Sequence, residues 1–315
     1  TYAGSYTVGE PVHISVFWSE AMSTTLSGGS PTLELEMDGT NRTAIYNGFI
    51  GNTELRFIYH VQAGDASADL QYTSVGAISL NGATFRNAAN TVDADATLPA
   101  LASANSLAGS SRVIIIDTEQ PSITSIEVPA NTTYASGQNL DFTVNTSENV
   151  VLGTTTGVEL SIVIGATTRK AVYTSGTGTS ALVYRYTVQA GEEDTDGISV
   201  TSIATTQLKD AAGNTLNGTL NNVGSTANVL VDAKAPTLNS SSPADGASAI
   251  ASSSNIVLTF DENIAFGTGN IQVIDISDGS NSFTIDAASP GAQASISGAV
   301  LTINPSANLD NNSNY

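Results

Sequence analysis

The chain has 315 residues, enough for two or three domains of about 100–150 residues each. It carries 29 acidic residues against 9 basic ones, a formal charge of −20, although only 12% of its residues are charged. A phosphate-binding surface needs clustered Lys and Arg, so this balance excludes nucleic acid and an anionic membrane surface as partners.

The absence of Cys excludes disulfides, thiolate metal sites and Cys nucleophiles. An apolar fraction of 40% is enough to fold, so the chain is not a disordered acidic tail. The longest purely aliphatic run is Val113-Ile114-Ile115-Ile116, far short of the ~20 residues of a membrane helix, and no membrane insertion is expected. Low Lys, acidity and Thr/Gly richness suit a protein secreted to the bacterial cell surface. The two ends read as domain interiors without a signal peptide, so the chain is expected to be a piece of something longer.

In chain order, the first recognisable element is the block 9–20, with Val12, His13 and Ile14 in alternation. A second block, 55–64, ends in Val61-Gln62-Ala63-Gly64, and a third is Arg86-Asn87-Ala88-Ala89-Asn90-Thr91. Asp117-Thr118-Glu119-Gln120-Pro121 follows. All four recur, at 137–148, 182–191, 209–215 and 232–236, and a looser copy of the first lies at 255–262. The two Asp-x-x-x-Pro segments are 115 residues apart, which sets the period. Three units result: 1–120, lacking its opening strand, 121–235, and 236–315, lacking its end.

Leu140, Phe142 and Val144 alternate with Asp141, Thr143 and Asn145, the period of a half-buried strand. The middle unit yields seven such strands, at 122–128, 140–146, 158–164, 169–174, 181–188, 198–204 and 226–232. Seven short antiparallel strands with Gly-rich turns predict an all-β fold, a row of immunoglobulin-like antiparallel β-sandwiches. Up-and-down counting places the turn Ser147-Glu148-Asn149 and the loop 210–214 at the incoming pole of the middle unit. It places the loop 192–197 at the outgoing pole.

The turn Ser147-Glu148-Asn149-Val150, the Val188-Gln189-Ala190-Gly191 segment with its spaced acids, Asp210-Ala211-Ala212-Gly213-Asn214 and the Asp-x-x-x-Pro linkers give the chain its resemblance. It resembles the bacterial immunoglobulin-like tandem repeats of very large surface adhesins and of cyanobacterial long-repeat surface proteins. Unit three, with Pro243-Ala244-Asp245-Gly246 and 258–264, resembles a different bacterial Ig-like subtype, also found in S-layer proteins. The resemblance implies an extracellular, calcium-stiffened spacer or adhesion module, and no enzyme.

Calcium takes six to eight hard oxygen ligands, so its sites need carboxylates converging from short loops. Glu192, Asp194 and Asp196 sit at alternate positions before Gly197, and Asp65 and Asp69 stand at the equivalent place in unit one. A plain solvated acidic turn is the competing reading. A second set is expected at the unit boundaries: Asp117 near Glu148, Asp210, Asn214 and Asp69, and Asp232 near Asp196 and Glu262. Like charges gathered there repel, and a dication turns the repulsion into attraction.

Catalysis is not expected. His13 and His60 read as isolated outward strand residues without a Ser or carboxylate partner by spacing. Trp18 follows Phe17 near a strand end, where a core or rim aromatic is the ordinary role and a sugar-stacking platform the alternative. The leading expectation is thus a monomeric rod of Ig-like units extending a bacterial adhesin, with a role in cell adhesion and biofilm. The alternatives are a glycan- or protein-binding module, and accessory domains of a secreted hydrolase or S-layer protein.

Overall fold

The structure is a computed structural model that describes residues 3–109, 111–277, 279, 282–305 and 309. The chain ends on which the fragment reading rests lie partly outside these. Two compact units are present, Thr1–Asp232 and Ala233–Tyr315. Every regular element among the described residues is a strand.

The first unit holds two sandwiches. In the first, the strands are β1 (Gly4–Tyr6), β2 (Pro11–Phe17), β3 (Met22–Thr25), β4 (Thr32–Glu36), β5 (Arg42–Ile50), β6 (Glu54–His60), β7 (Ala66–Ser67), β8 (Gln71–Tyr72), β9 (Ile78–Ser79), β10 (Thr84–Asn87) and β11 (Ile114–Asp117). One sheet runs β2-β6-β5-β4-β8, with β9 added to β4; another is β1-β11-β7, and β3 pairs β10. In the second, they are β12 (Ile123–Glu127), β13 (Thr132–Tyr134), β14 (Asn139–Leu152), β15 (Glu159–Ile164), β16 (Thr167–Ser175), β17 (Thr179–Thr187), β18 (Glu193–Asp194), β19 (Ser199–Ile203), β20 (Leu208–Lys209) and β21 (Val229–Asp232). Here one sheet runs β12-β14-β17-β16-β15-β19 and the other β13-β21-β18.

The sequence repeat is therefore a repeat of pairing. The order β2-β6-β5-β4 returns as β14-β17-β16-β15, and the parallel pair β1/β11 returns as β13/β21. Alternation explains the cores: Val12 and Ile14 of β2 are buried, as are Leu140, Phe142 and Val144 of β14. Phe57 and Tyr184, 127 residues apart, fill the same position in the two cores and are fully buried.

All seven strands expected in the middle unit are present. The expected turn at 147–149 is instead strand: β14 continues through it to Leu152, with a register shift against β17 between Asn145 and Val150. A β-bulge accommodates the extra residues without ending the strand, which is why a polar Ser-Glu-Asn run reads as a turn in the sequence.

The second unit is described by itself. Its strands are β22 (Leu238–Ser242), β23 (Ile256–Phe260), β24 (Asn270–Val273), β25 (Phe283–Asp286), β26 (Ala294–Ser297) and β27 (Val300–Ile303). A four-stranded sheet β22-β23-β27-β26 accompanies the hairpin β24/β25, and Val273, Ile285, Ala294, Leu301 and Ile303 form the buried core.

Candidate metal centre

Asp117, Glu148 and Asp210 converge where the first sandwich hands the chain to the second. Each offers one carboxylate oxygen, and these oxygens lie within 4.8 Å of one another. Among the described residues no other group of three metal-binding side chains meets this spacing. A calcium ion about 2.4 Å from each oxygen spans that separation.

Three separate stretches bring the acids together. Asp117 ends β11, the strand leaving the first sandwich. Glu148 sits in the bulge of β14, where the Ser147 amide donates to the Ser122 carbonyl and the Ser122 amide to Ser147 Oγ. Asp210 opens the turn after β20 and is buried. Its Oδ1 accepts the amides of Gly213 (2.7 Å) and Asn214 (2.8 Å), which fixes the turn.

The electrostatics are those of an anion cluster. Burial, then the charges of Asp210, Asp117 and Glu119, hold the Glu148 carboxyl above its usual range. Two like charges 4–5 Å apart repel by about 3–4 kcal/mol at an effective dielectric near 20. A divalent cation bound there removes that repulsion.

Asn214 has a different role from the oxygen ligand expected of it. Its Nδ2 donates to the Asp117 carbonyl (3.0 Å) and to Asp210 Oδ2 (2.8 Å), while its Oδ1 accepts the Thr7 hydroxyl. The side chain latches the second sandwich to the first, and its oxygen is occupied by Thr7.

Nor does the structure gather the alternating acids of the loops. Glu192 is buried, with Oε1 bonded to Arg169 Nε and Tyr186 Oη, both at 2.5 Å, and Oε2 to the Gln189 amide at 2.8 Å. Asp194, also buried, accepts the amides of Gly165 (2.7 Å) and Gly197 (2.8 Å) through its two oxygens. Asp196 is exposed on the surface. Glu192 and Asp194 are thus oriented by separate protein donors, and the three acids form no cluster.

Unit one repeats the arrangement. Asp65 is buried and bonded to Arg42 Nε (2.6 Å), the Tyr59 hydroxyl and the Gln62 amide (2.8 Å). Burial raises the Asp65 carboxyl, but the Tyr59, Gln62 and Arg42 donors outweigh it and hold it below its usual range. Burial and the facing carboxylate push both Tyr59 and Tyr186 up to about 12. Asp69 Oδ1 accepts the Ile114 amide (3.1 Å) and so secures the start of β11, outside the acidic cluster. The Thr118 hydroxyl donates to the Asp65 carbonyl (2.8 Å) and accepts the Gly64 amide (3.1 Å). The clamp around Asp65 thereby holds the linker beside Asp117.

Asp232 is exposed at the end of β21, opposite Glu193 of β18. Glu262 belongs to the other unit, two residues past β23, and is half-buried. The partners that sequence reasoning missed are Arg42, Tyr59, Arg169 and Tyr186. Their signal was present: Tyr-x-x-Gln-x-x-acid occurs at 59–65 and at 186–192.

Trp18 takes a rim position. Its ring stacks on Phe85 (5.7 Å between centroids, 9° between planes) and on Phe49 (6.3 Å, 27°), and its Nε1 donates to the Asp95 carbonyl. His13 and His60 are exposed strand residues.

Fold and site together define an all-β chain of Ig-like sandwiches with an acidic junction. Residues 232–315 match the family model of the bacterial Ig-like domain. No curated protein matches the chain.

Proposed function

We propose that this chain is a structural and adhesion region of a bacterial surface protein, without catalysis, and that Ca²⁺ stiffens the junction between its first two sandwiches. Bacterial Ig-like domains of the matched family are typical of bacterial surface proteins, which favours an extracellular, cell-surface location. The observation that carries the calcium reading is the convergence of Asp117, Glu148 and Asp210 from two sandwiches onto one ion-sized space. An ion there ties the end of β11 to the bulge of β14 and to the turn after β20. The Thr7–Asn214–Asp117 hydrogen bonds pre-align the same elements.

The test is calorimetric melting of the full chain in calcium and in chelator. An ion that binds only the native state adds about 2.7 kcal/mol at a hundredfold excess over its Kd. For a unit of this size that is a rise of about 5–11 °C. Asp117→Asn and Glu148→Gln are each expected to shrink the rise. In chelator, Glu148→Gln is expected to melt above the wild type, because the repulsion is gone. Identical melts with and without calcium, or a full rise in both variants, would sink the reading.

A further inference from the structure

The two sandwiches differ at one sheet edge. In the second, β14 lies between β17 and β12, whereas among the described residues β2, its counterpart in the first, pairs β6 alone. The equivalence holds bond for bond. Gly9 and Gly137 donate to the carbonyls of Val61 and Val188, whose amides donate back to Glu10 and Gln138. Ser15, Val16, Phe17 and Trp18 therefore stand where Thr143, Val144, Asn145 and Thr146 meet β12.

Backbone groups alternate in direction along an antiparallel strand. Glu10 accepts the Val61 amide and Trp18 donates to Thr53, so the even-numbered residues of β2 face β6. His13, Ser15 and Phe17 turn their N–H and C=O groups to the open edge. Such edges are ordinarily blunted by charge, proline or a bulge. Val12–Phe17 contains no Lys, Arg, Asp, Glu or Pro, and its register with β6 is unbroken. The opposite edge of the same sheet ends instead in the two-residue strands β8 and β9. Side chains mark the same difference. Val144 is fully buried with Ile126 of β12 opposite, whereas Val16 is half-buried. Phe17 is 70% exposed, while its counterpart Asn145 bonds across to Ser125 Oγ and Glu127 Oε1 of β12.

We propose that the open edge of β2 is a docking site for a polypeptide strand of the β12 kind. The occupant runs antiparallel to β2 beside Ser15–Trp18. It pairs with the N–H and C=O groups of Ser15 and Phe17, sets an aliphatic side chain against Val16 and covers the Phe17 ring with its outward residues. Main-chain bonds give affinity in strand addition, and the side-chain notch gives specificity. The occupant carries two aliphatic residues three apart on its inner face, as Ile123 and Ile126 do where they are buried in the second sandwich. The edge is free of acids, so an extended partner meets no like charge there on a chain of net charge −20. This site is separate from the Asp117 junction and stands or falls independently of it.

The probe is a synthetic peptide of residues 121–130, which contain β12, titrated into the full, isotopically labelled chain and followed by amide resonances. Saturable shifts are expected at Ser15 and Phe17, with a Kd below about 1 mM. Thr143 and Asn145, whose edge β12 already covers, are expected to stay fixed. Trp18, the one tryptophan of the chain, reports the same event by fluorescence. Ser15→Pro removes an N–H that faces away from β6, so the sandwich is expected to keep its fold and to bind the peptide at least about tenfold more weakly. A peptide carrying Ile126→Asp is expected to lose a similar factor, and it decides the matter if Ser15→Pro does not fold. Fixed Ser15 and Phe17 amides up to about 1 mM peptide, equal affinity for the two peptides, or shifts at Thr143 and Asn145 instead overturn the proposal. So does a chain that ignores the peptide but sediments as a dimer that Ser15→Pro abolishes, since the occupant is then a second copy.

Discussion

Glu192→Gln separates a clamp from a calcium ligand. In the wild type Oε1 takes two donors, Arg169 Nε and Tyr186 Oη, and Oε2 takes the Gln189 amide. A glutamine keeps one oxygen only. If that oxygen stays with Arg169 and Tyr186, its NH₂ group faces the Gln189 N–H, and a donor is left buried against a donor. An unsatisfied buried polar group costs about 1–3 kcal/mol. The lost ion pair adds at most about 1 kcal/mol, since the Arg169 side chain is 37% exposed and solvent screens it. The expected total is about 2–4 kcal/mol. A sandwich of this size loses about 4 °C of Tm per kcal/mol, so a fall of about 8–16 °C is expected in the second sandwich's transition. Calorimetry of the variant in chelator reads the fall. The rise produced by calcium should match the wild type's, because Glu192 has no free oxygen to give an ion. An unchanged Tm in chelator combined with a reduced calcium response would refute the clamp and restore Glu192 as a ligand.

Two further outcomes follow from the same comparison of repeats. Asp65→Asn is expected to flatten the acid limb of stability. The Asp65 carboxyl lies below its ordinary value of 3.8 when folded, so its contribution is present above that pH and is lost as pH falls through the folded value. The gap between wild type and variant should therefore close in strong acid, and a gap that widens there contradicts the hydrogen-bond account. Tyr184→Phe is expected to be neutral or to stabilise by up to about 1 kcal/mol, read by denaturant titration, because it removes a buried hydroxyl that has no hydrogen-bond partner among the described residues. Phe57 already fills the equivalent position of the first core, so a loss above about 1 kcal/mol would mean the hydroxyl has a role in the fold.

Much of the architecture was legible because sandwich strands carry their burial in a period of two. Leu140, Phe142 and Val144 announce an inward face, and the recurrence of whole blocks announces the repeat. The two-residue strands β7 and β18 were not legible, since no periodicity can be read from two residues. They exist because the outgoing strands β11 and β21 offer them a ladder. The bulge at Glu148 was illegible for another reason. A polar run ends a strand when water must solvate its backbone, but here Ser122 and Ser147 bond each other and strand β14 continues.

The acids show where composition stops and geometry begins. Spacing treats Glu192, Asp194 and Asp196 as one set, because alternate positions of a loop can converge. Alternate residues of an extended segment share a face, yet Glu192 and Asp194 are each taken up by donors of their own, Arg169 and Tyr186 for the one and the Gly165 and Gly197 amides for the other. Asp117, Glu148 and Asp210 are 31 and 62 residues apart in sequence, and converge because a strand end, a bulge and a turn meet at one pole. The difference in donors carries the chemistry. A carboxylate paired with an Arg and a Tyr donor, as at Asp65 and Glu192, is already neutralised and gains little from an ion. A carboxylate whose nearest charges are other carboxylates, as at Glu148, is the one that a cation stabilises. Charge environment, more than the count of acids in a loop, therefore separates the clamped acids from the Asp117–Glu148–Asp210 cluster in this chain.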